Sequence, residues 1–460
     1  MSLSKLKAKM KGIKYLPFEQ DGKTYNLYDM PKGFVIKGDL DLRNKGLTEL
    51  PDLSDVVVEG NFRCSNNKLT SLEGAPQKIG GYFNCRYNQL TSLEGAPKEV
   101  GGDFYCNYNQ LTSLEGGPEV VGGKFDCSDN ELTSLEGAPK EVGGDFLCSR
   151  NKLTSLDRVP NVVGESFDCS DNLLTSLEGA PKEIKGGFHC YGNQLTSLKG
   201  APQKVGGDFH CDYNRLTSLD GAPQQVGGYF SCSDNELTSL EGAPIEVGGN
   251  FYCSKNQLTS LEGAPKEVGG DFDCSRNKLT SLEGAPQKVA GIFSCSDNEL
   301  TSLKGAPQQV GEYFSCRNNK LTSLEGAPQK VGEYFDCRFN QLTSLEGAPE
   351  EVGGDFDCRY NQLTSLFGVP VLKKGKFIFC DNSLGEKYGF SYKEWFSYED
   401  LCNTPFYRSE AAISRVRGKQ QQDSIQQPQD QGQTKTQQQE KINAEFSQWL
   451  KDNTTKTSRE

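Results

Sequence analysis

Phe104-Tyr-Cys106-Asn-Tyr-Asn109-Gln-Leu111-Thr-Ser-Leu114-Glu-Gly116-Gly117-Pro118 is one copy of a phrase that recurs along most of this 460-residue chain. Its cysteine keeps the beat: from Cys64 to Cys358, fifteen cysteines stand 21 residues apart without a slip. A fixed period of about 20–30 residues is the mark of a solenoid, whose repeats bury their apolar faces only by stacking on one another. Within the phrase, Phe104 and Cys106 are two residues apart, so a strand turns both to one face, the core. Asn109 recurs from Asn67 to Asn361, where its amide can bond backbone that has lost partners as the strand turns. Leu111 and Leu114 fill the core. Gly116-Gly117-Pro118, Gly-Ala-Pro in most other copies, makes a turn. Val121 packs inward, and a Gly-Gly pair re-enters the next strand, permitting positive φ and close approach between coils. Strands of successive coils are expected to pair in parallel as one sheet.

The chain holds seventeen cysteines, yet neither disulfides nor zinc fits their spacing. No Cys-x-x-Cys occurs, and 21-residue gaps do not gather four ligands around one ion. A small, often buried residue repeated once per coil reads as a ladder of reduced core thiols, which points to a reducing compartment. A formal charge of −12 speaks against a protein that coats nucleic acid. No stretch approaches the roughly 18 apolar residues of a membrane helix, and no apolar signal core follows the basic start Met1-Ser-Leu-Ser-Lys-Leu-Lys. The expectation is cytoplasmic synthesis with no membrane insertion. No P-loop, nucleophile elbow or metal-hydrolase signature appears.

The pattern Phe/Leu-x-Cys/Leu-x-x-Asn-x-Leu-x-x-Leu resembles the leucine-rich repeat, over residues 40–384. The Leu-Thr-Ser-Leu variant with its short period is similar to bacterial effector repeats. The near-identical Leu-Thr-Ser-Leu-Glu-Gly-Ala-Pro arrays resemble those of tailed bacteriophages. Phe and Cys in place of Leu in the strand are a departure that alters core volume. The resemblance implies a β-solenoid of leucine-rich repeat type, about 17 coils from a degenerate first one at Leu42 to a last one in which Ile378-Phe-Cys380 takes the place of Phe-x-Cys, with one parallel sheet. It also implies a non-catalytic protein-interaction scaffold, as a virion component or a host-directed factor. Effector repeats of this type can precede a catalytic ubiquitin-ligase domain, but residues 385–460 are too few for one. The expectation is no enzyme and no cofactor.

The ends complete the domain plan. Residues 1–39, with Tyr15, Leu16, Phe18, Tyr25, Leu27 and Phe34, read as an N-terminal cap, and residues 40–384 as the solenoid. Residues 385–417 read as a helical C-terminal cap, because Ser391-Tyr-Lys-Glu394 fits a capping box and Thr404-Pro405 a helix start. Residues 418–440 are a linker: positions 420–439 hold 11 Gln. Residues 441–460 end in Ile442, Phe446, Trp449 and Leu450, an i, i+4, i+7, i+8 stripe suited to a docking helix.

The strand residues that flank Phe and Cys vary while the core does not, as expected of one scaffold displaying different side chains. Two patches on the expected concave sheet are rich in Tyr and Arg, the residues that dominate binding hot spots. The first holds Tyr82, Arg86, Tyr87, Tyr105 and Tyr108. The second holds Tyr313, Arg317, Tyr334, Arg338, Phe339, Arg359 and Tyr360. The only histidines, His189 and His210, stack in adjacent coils near Asp168, Asp208 and Asp212, but an open sheet lacks the enclosure of a metal site, and none is expected. The residue after Leu-Thr-Ser-Leu is acidic in 12 of the 15 regular coils, a stripe read as solubilising. The same aromatic and Asp residues leave carbohydrate or cell-surface recognition as the alternative to protein binding.

Overall fold

The computed structural model describes residues 14–379, Asn382 and the backbone of Trp395–Ser397. They fall into two compact units. One runs to Glu236 with Gly242–Pro244, and the other comprises Leu237–Glu241 and the chain from Ile245 onward. In both, the repeated phrase forms a two-residue strand at Phe and the residue after it, lengthened to three at Tyr313–Ser315, Tyr334–Asp336 and Lys376–Ile378. Equivalent strands pair in parallel, phenylalanine beside phenylalanine. The first unit carries this ladder from Leu40–Asp41 to Phe230–Ser231, the second from Phe251–Tyr252 to Lys376–Ile378.

The core follows from the alternation. Phe104, Cys106, Leu111 and Leu114 are each 0% exposed, and the pattern repeats in every regular coil. Stacked phenylalanine rings run through each unit, as at Phe104–Phe125 (5.4 Å) and Phe335–Phe356 (5.0 Å). Burying one Phe or Leu contributes about 1.5–3 kcal/mol, so the apolar column dominates the stability of a coil. The thiols are free and buried. Most donate to a carbonyl of the next coil, as Cys85 Sγ does to Tyr105 O at 3.3 Å. Burial pushes them well above the ordinary thiol range.

The expected asparagine ladder is present. Asn130 Nδ2 donates to the carbonyls of Cys106 and Cys127, both at 3.1 Å, while its Oδ1 accepts from Leu111 N at 3.0 Å. One side chain thereby serves three backbone groups in two coils, where an unpaired one costs about 1–3 kcal/mol. Two further devices tie the turns. Ser113 Oγ accepts from Glu115 N at 3.1 Å, closing the Leu-Thr-Ser-Leu-Glu turn. Before the strand, an Asp or Asn accepts from the backbone of the next coil, as Asp103 Oδ1 does from Lys124 N at 2.8 Å.

Four expectations need correction. The sheet is not single: the pair ending in Val, Ile or, in the last coil, Leu forms a second parallel ladder, separate from the Phe ladder. In the first unit it runs from Val35–Ile36 to Val162–Val163 and from Glu183–Ile184 to Gln225–Val226; in the second, from Glu246–Val247 to Val371–Leu372. Identical coils in register bring every extended dipeptide beside its copy, so backbone pairing arises wherever the chain is straight. The two roles given to the Gly-Gly pair are divided between different glycines. Positive φ belongs to the turn glycine (Gly116, φ +83), whereas a Cβ on Gly122 would meet Gly101 O at 2.1 Å. In the last coil, Phe377 and Phe379, at 0% and 2% exposure, take the inward positions that Ile378 and Cys380 were expected to hold. Phe377 pairs with Phe356, and Asn382 continues the amide ladder. Finally, Trp395–Ser397, expected in a helical cap, is a strand antiparallel to Lys376–Ile378. An open sheet edge offers unpaired N–H and C=O groups, and a strand covers them directly. The rest of the expected cap, the linker and the tail residues Ile442, Phe446, Trp449 and Leu450 lie outside the described residues.

At the other end, Pro17–Gln20 and Lys23–Asn26 form an antiparallel hairpin followed by a single 3₁₀ turn, Leu27–Asp29. Asn26 Oδ1 accepts from Leu16 N at 2.9 Å, and Leu27 is buried. Among the described residues no helix is long and apolar enough to cross a membrane.

Candidate interaction surface

The outer face of the Phe/Cys ladder is set by the same two-residue alternation that sets the core. Residues two before the phenylalanine's neighbour, the neighbour itself and the residue after Cys point outward together, as Tyr334, Asp336 and Arg338 do. The residue before the ladder Asn has a left-handed backbone in almost every coil. Asn, Asp and Gly accept that conformation readily, but it is unusual for bulky side chains. Here Tyr87, Tyr108, Phe339 and Tyr360 adopt φ of 53–54° and are 38–45% exposed.

In the first patch, Arg63 joins the expected residues. Its guanidinium lies 4.9 Å from the Tyr82 ring centre, donates to the Tyr82 hydroxyl, and pairs with Asp39 at 2.8 Å. Tyr82 meets Tyr105 edge-on at 6.1 Å. Tyr105 Oη donates to Asp103 Oδ2 at 2.8 Å, and burial together with this carboxylate pushes its hydroxyl up to about 12. Tyr87 and Tyr108 stack at 4.4 Å and 5°, with Arg86 5.9 Å from the Tyr87 centre. All five expected residues thus lie in this region, with Tyr82 and Tyr105 half-buried and the Tyr87–Tyr108 stack exposed.

The second patch is built on two buried carboxylates, Asp336 and Asp357. Asp336 and Asp357 are only 1% and 0% exposed. Arg338 grips Asp336 with Nε at 2.9 Å and Nη2 at 2.6 Å, and Arg359 grips Asp357 at 3.0 and 2.7 Å. Tyr313 Oη donates to Asp336 and Tyr334 Oη to Asp357, each at 3.0 Å. The tyrosine rings are 4.9 Å apart. Burial, with the neighbouring Asp336 charge, pushes Tyr313 up to about 12; its bond to Asp336 holds the Arg338 guanidinium in the charged form. Beside this network Phe339 and Tyr360 stack at 4.3 Å and 9°, with Arg317 5.1 Å from the Phe339 centre. The signal was in the sequence: Tyr334-Phe-Asp336-Cys-Arg338 places Tyr, Asp and Arg on one face at two-residue spacing.

His189 and His210 stack at 4.8 Å, and His210 also packs on Tyr229 at 4.4 Å. Burial, with the adjacent His189, draws His210 down to about 4. Among the described residues no cluster of three or more His, Cys, Asp or Glu is arranged to hold a metal ion.

Inward Phe, Cys and Leu, an amide ladder and parallel strands once per 21 residues define a parallel-sheet β-solenoid of the leucine-rich repeat kind. Among solved structures it is similar to YopM from Yersinia enterocolitica, at 26% identity and a TM-score of 0.55, over 75% of this chain and 78% of that one. It is also similar to YopM, a leucine-rich effector protein from Yersinia pestis, at 22% identity and a TM-score of 0.46, over 73% and 88% of the two chains. A third similar structure is the functional domain of InlJ from Listeria monocytogenes, which includes a cysteine ladder (19% identity, TM-score 0.36, 61% and 70% covered). No family model and no curated protein matches the chain.

Proposed function

We propose that this protein is a non-catalytic scaffold that binds protein partners through the two Tyr/Arg patches, and that its tail supplies a further dock. One observation carries the reading. Coils that are otherwise near copies hold exposed aromatic residues at left-handed positions, where both the backbone and the solvent disfavour them. Side chains held at such a cost concentrate at functional surfaces. Tyr and Arg there offer large area with directed hydrogen bonds.

The resemblance of the Leu-Thr-Ser-Leu repeats to bacterial effector repeats favours a host-directed factor, and their resemblance to bacteriophage arrays favours a virion component. The apolar spacing of Ile442, Phe446, Trp449 and Leu450 supports a tethered dock, which would add effective concentration to whatever the sheet face binds. Affinity capture from the native host or virion, comparing the full chain with one ending at Gly418, tests the assignment. Partners kept by both place recognition on the sheet face; partners lost with the tail place it beyond Gly418. Phe446→Ala with Trp449→Ala is expected to leave melting unchanged and to abolish tail-dependent capture. Loss of no partner on combined Tyr87→Ala, Tyr108→Ala, Phe339→Ala and Tyr360→Ala would remove the patches from the proposal.

A further inference from the structure

The second unit holds a cleft of about 390 Å³ on the outer face of its Phe/Cys ladder, next to the buried Asp/Arg/Tyr network. It exists because serines replace larger side chains: Ser294, Ser296 and Ser315 form its floor. Ser296 Oγ and Ser315 Oγ lie 2.6 Å apart and Ser294 Oγ lies 3.5 Å from Ser296, so the floor is a chain of hydroxyls. Tyr313 forms one wall. Its ring is fixed by the bond to Asp336, which Arg338 fixes in turn.

Two features point to a ligand and to its class. First, a carboxylate taken out of water costs several kcal/mol unless it is paired. The equivalent positions in the two preceding coils, Ser294 and Ser315, avoid that cost, so the carboxylate under Tyr313 is an expense the fold does not require. What it gains is a rigid aromatic wall and a rigid end to the hydroxyl floor, the kind of support a binding site needs. Second, the charge of the lining balances: Arg276, Arg317 and Arg338 face Asp273, Asp297 and Asp336. Arg338 and Asp336 satisfy each other. Arg276 and Arg317 have no carboxylate within ion-pair reach among the described residues. The cleft therefore presents donors and acceptors in similar number, without net charge, beside one flat ring. A polyol ring, each hydroxyl of which both donates and accepts, matches that set. The volume lies within the roughly 300–1,000 Å³ of small-molecule sites.

We propose that this cleft binds an uncharged pyranose, as a free sugar or as one residue of a glycan. Arg276 and Arg317 donate to ring hydroxyls, Asp273 accepts from them, and the apolar face of the ring lies on Tyr313. The cleft shares Tyr313, Arg317 and Arg338 with the second patch; loss of sugar binding and loss of partner capture are read in separate assays, so the failure of one reading is distinguishable from the failure of the other.

The test is saturation-transfer NMR on the full chain with methyl glycosides of glucose, galactose, mannose and N-acetylglucosamine. Glucuronate and inorganic phosphate are the charged comparisons. At least one neutral glycoside is expected to show transfer, strongest at its ring protons. Arg276→Ala should weaken it by about tenfold or more, the worth of one hydrogen bond to a charged group. Ser294→Leu, which fills the floor, should abolish it, and exposed Gln89→Ala in the first unit should leave it unchanged. Thermal melting checks that the variants fold; Arg276 is at the rim, so its variant serves even if Ser294→Leu does not. The proposal is overturned if no neutral glycoside binds, if only glucuronate or phosphate does, or if binding survives Arg276→Ala undiminished.

Discussion

The two Tyr/Arg patches are made from the same coil and solve the same problem differently. In the first, aromatic rings meet each other and the Arg63–Asp39 ion pair, and the Tyr87–Tyr108 stack is exposed. In the second, the outer aromatic stack is much the same, but beside it Asp336 and Asp357 are sealed under Arg338, Arg359, Tyr313 and Tyr334. The difference teaches that a repeat scaffold can carry a cheap adaptable surface or an expensive rigid one without changing its core. Exposed stacks re-pack at little cost; a buried, fully paired carboxylate fixes every group that touches it.

The largest expected effect tests this contrast directly. Asp357→Ala leaves Arg359 and Tyr334 without their acceptor and should cost about 3–5 kcal/mol, as breaking a buried ion pair does. Asp103→Ala, under the first patch, removes a half-exposed acceptor and should cost about 1–2 kcal/mol. Equal losses in denaturant melts would break the distinction between the patches. Asn88→Leu and Asn340→Leu sharpen it from the other side. Each amide serves the same backbone groups, at 2.9–3.1 Å, so both should cost about 1–3 kcal/mol and by similar amounts. A marked difference between them would mean that the coils beneath the patches are not equivalent.

Smaller still are the aromatic replacements. Tyr87→Gly and Phe339→Gly relieve left-handed strain of about 1–2 kcal/mol and lose stacking of about 0.5–1.5 kcal/mol, so stability should stay nearly level. Partner capture should fall in both; unchanged capture would make the stacks ornaments of the fold. The smallest effect is a pH control outside both patches. His210 is held near 4 in the folded chain against an ordinary 6.5, so between these values the unfolded chain binds the extra proton. Its contribution to stability is complete above about 6.5 and is lost as pH falls toward 4. His210→Gln should flatten that part of a plot of Tm against pH, equally in Tyr87→Gly and Asp357→Asn backgrounds. A background-dependent change would show that the histidine pair is coupled to a patch.

The core was legible because the 21-residue beat repeats every mistake or success fifteen times over: inward Phe and Cys, the Leu pair and the ladder Asn leave no competing register. The second ladder was not legible, since its dipeptides carry one inward residue with no Phe-x-Cys alternation around it, and it forms only because neighbouring coils coincide. Ser113 and Asp103 look like ordinary loop residues until the backbone N–H each accepts from is located. The last coil misled by local likeness, Ile378-Phe-Cys380 imitating Phe-x-Cys one residue out of step with Phe377 and Phe379. Trp395–Ser397 follows the capping-box pattern of Ser391-Tyr-Lys-Glu394, yet it pairs with the open sheet edge at Lys376–Ile378. For the surface, the columns of Tyr and Arg could be listed from the sequence. The depth of Asp336 and Asp357 could not, because aspartate alone reads as a solvent residue and only the flanking Tyr and Arg side chains remove it from water.

The thiol column has a use in the laboratory that its packing role does not suggest. Each of the fifteen coils from Cys64 to Cys358 holds one sulfhydryl, fully enclosed and strongly protonated. None is open to alkylation until its own coil opens. A timed pulse of iodoacetamide followed by peptide mapping therefore records opening coil by coil, with no label to introduce. The chain comes furnished with a ruler of its own unravelling, graduated every 21 residues.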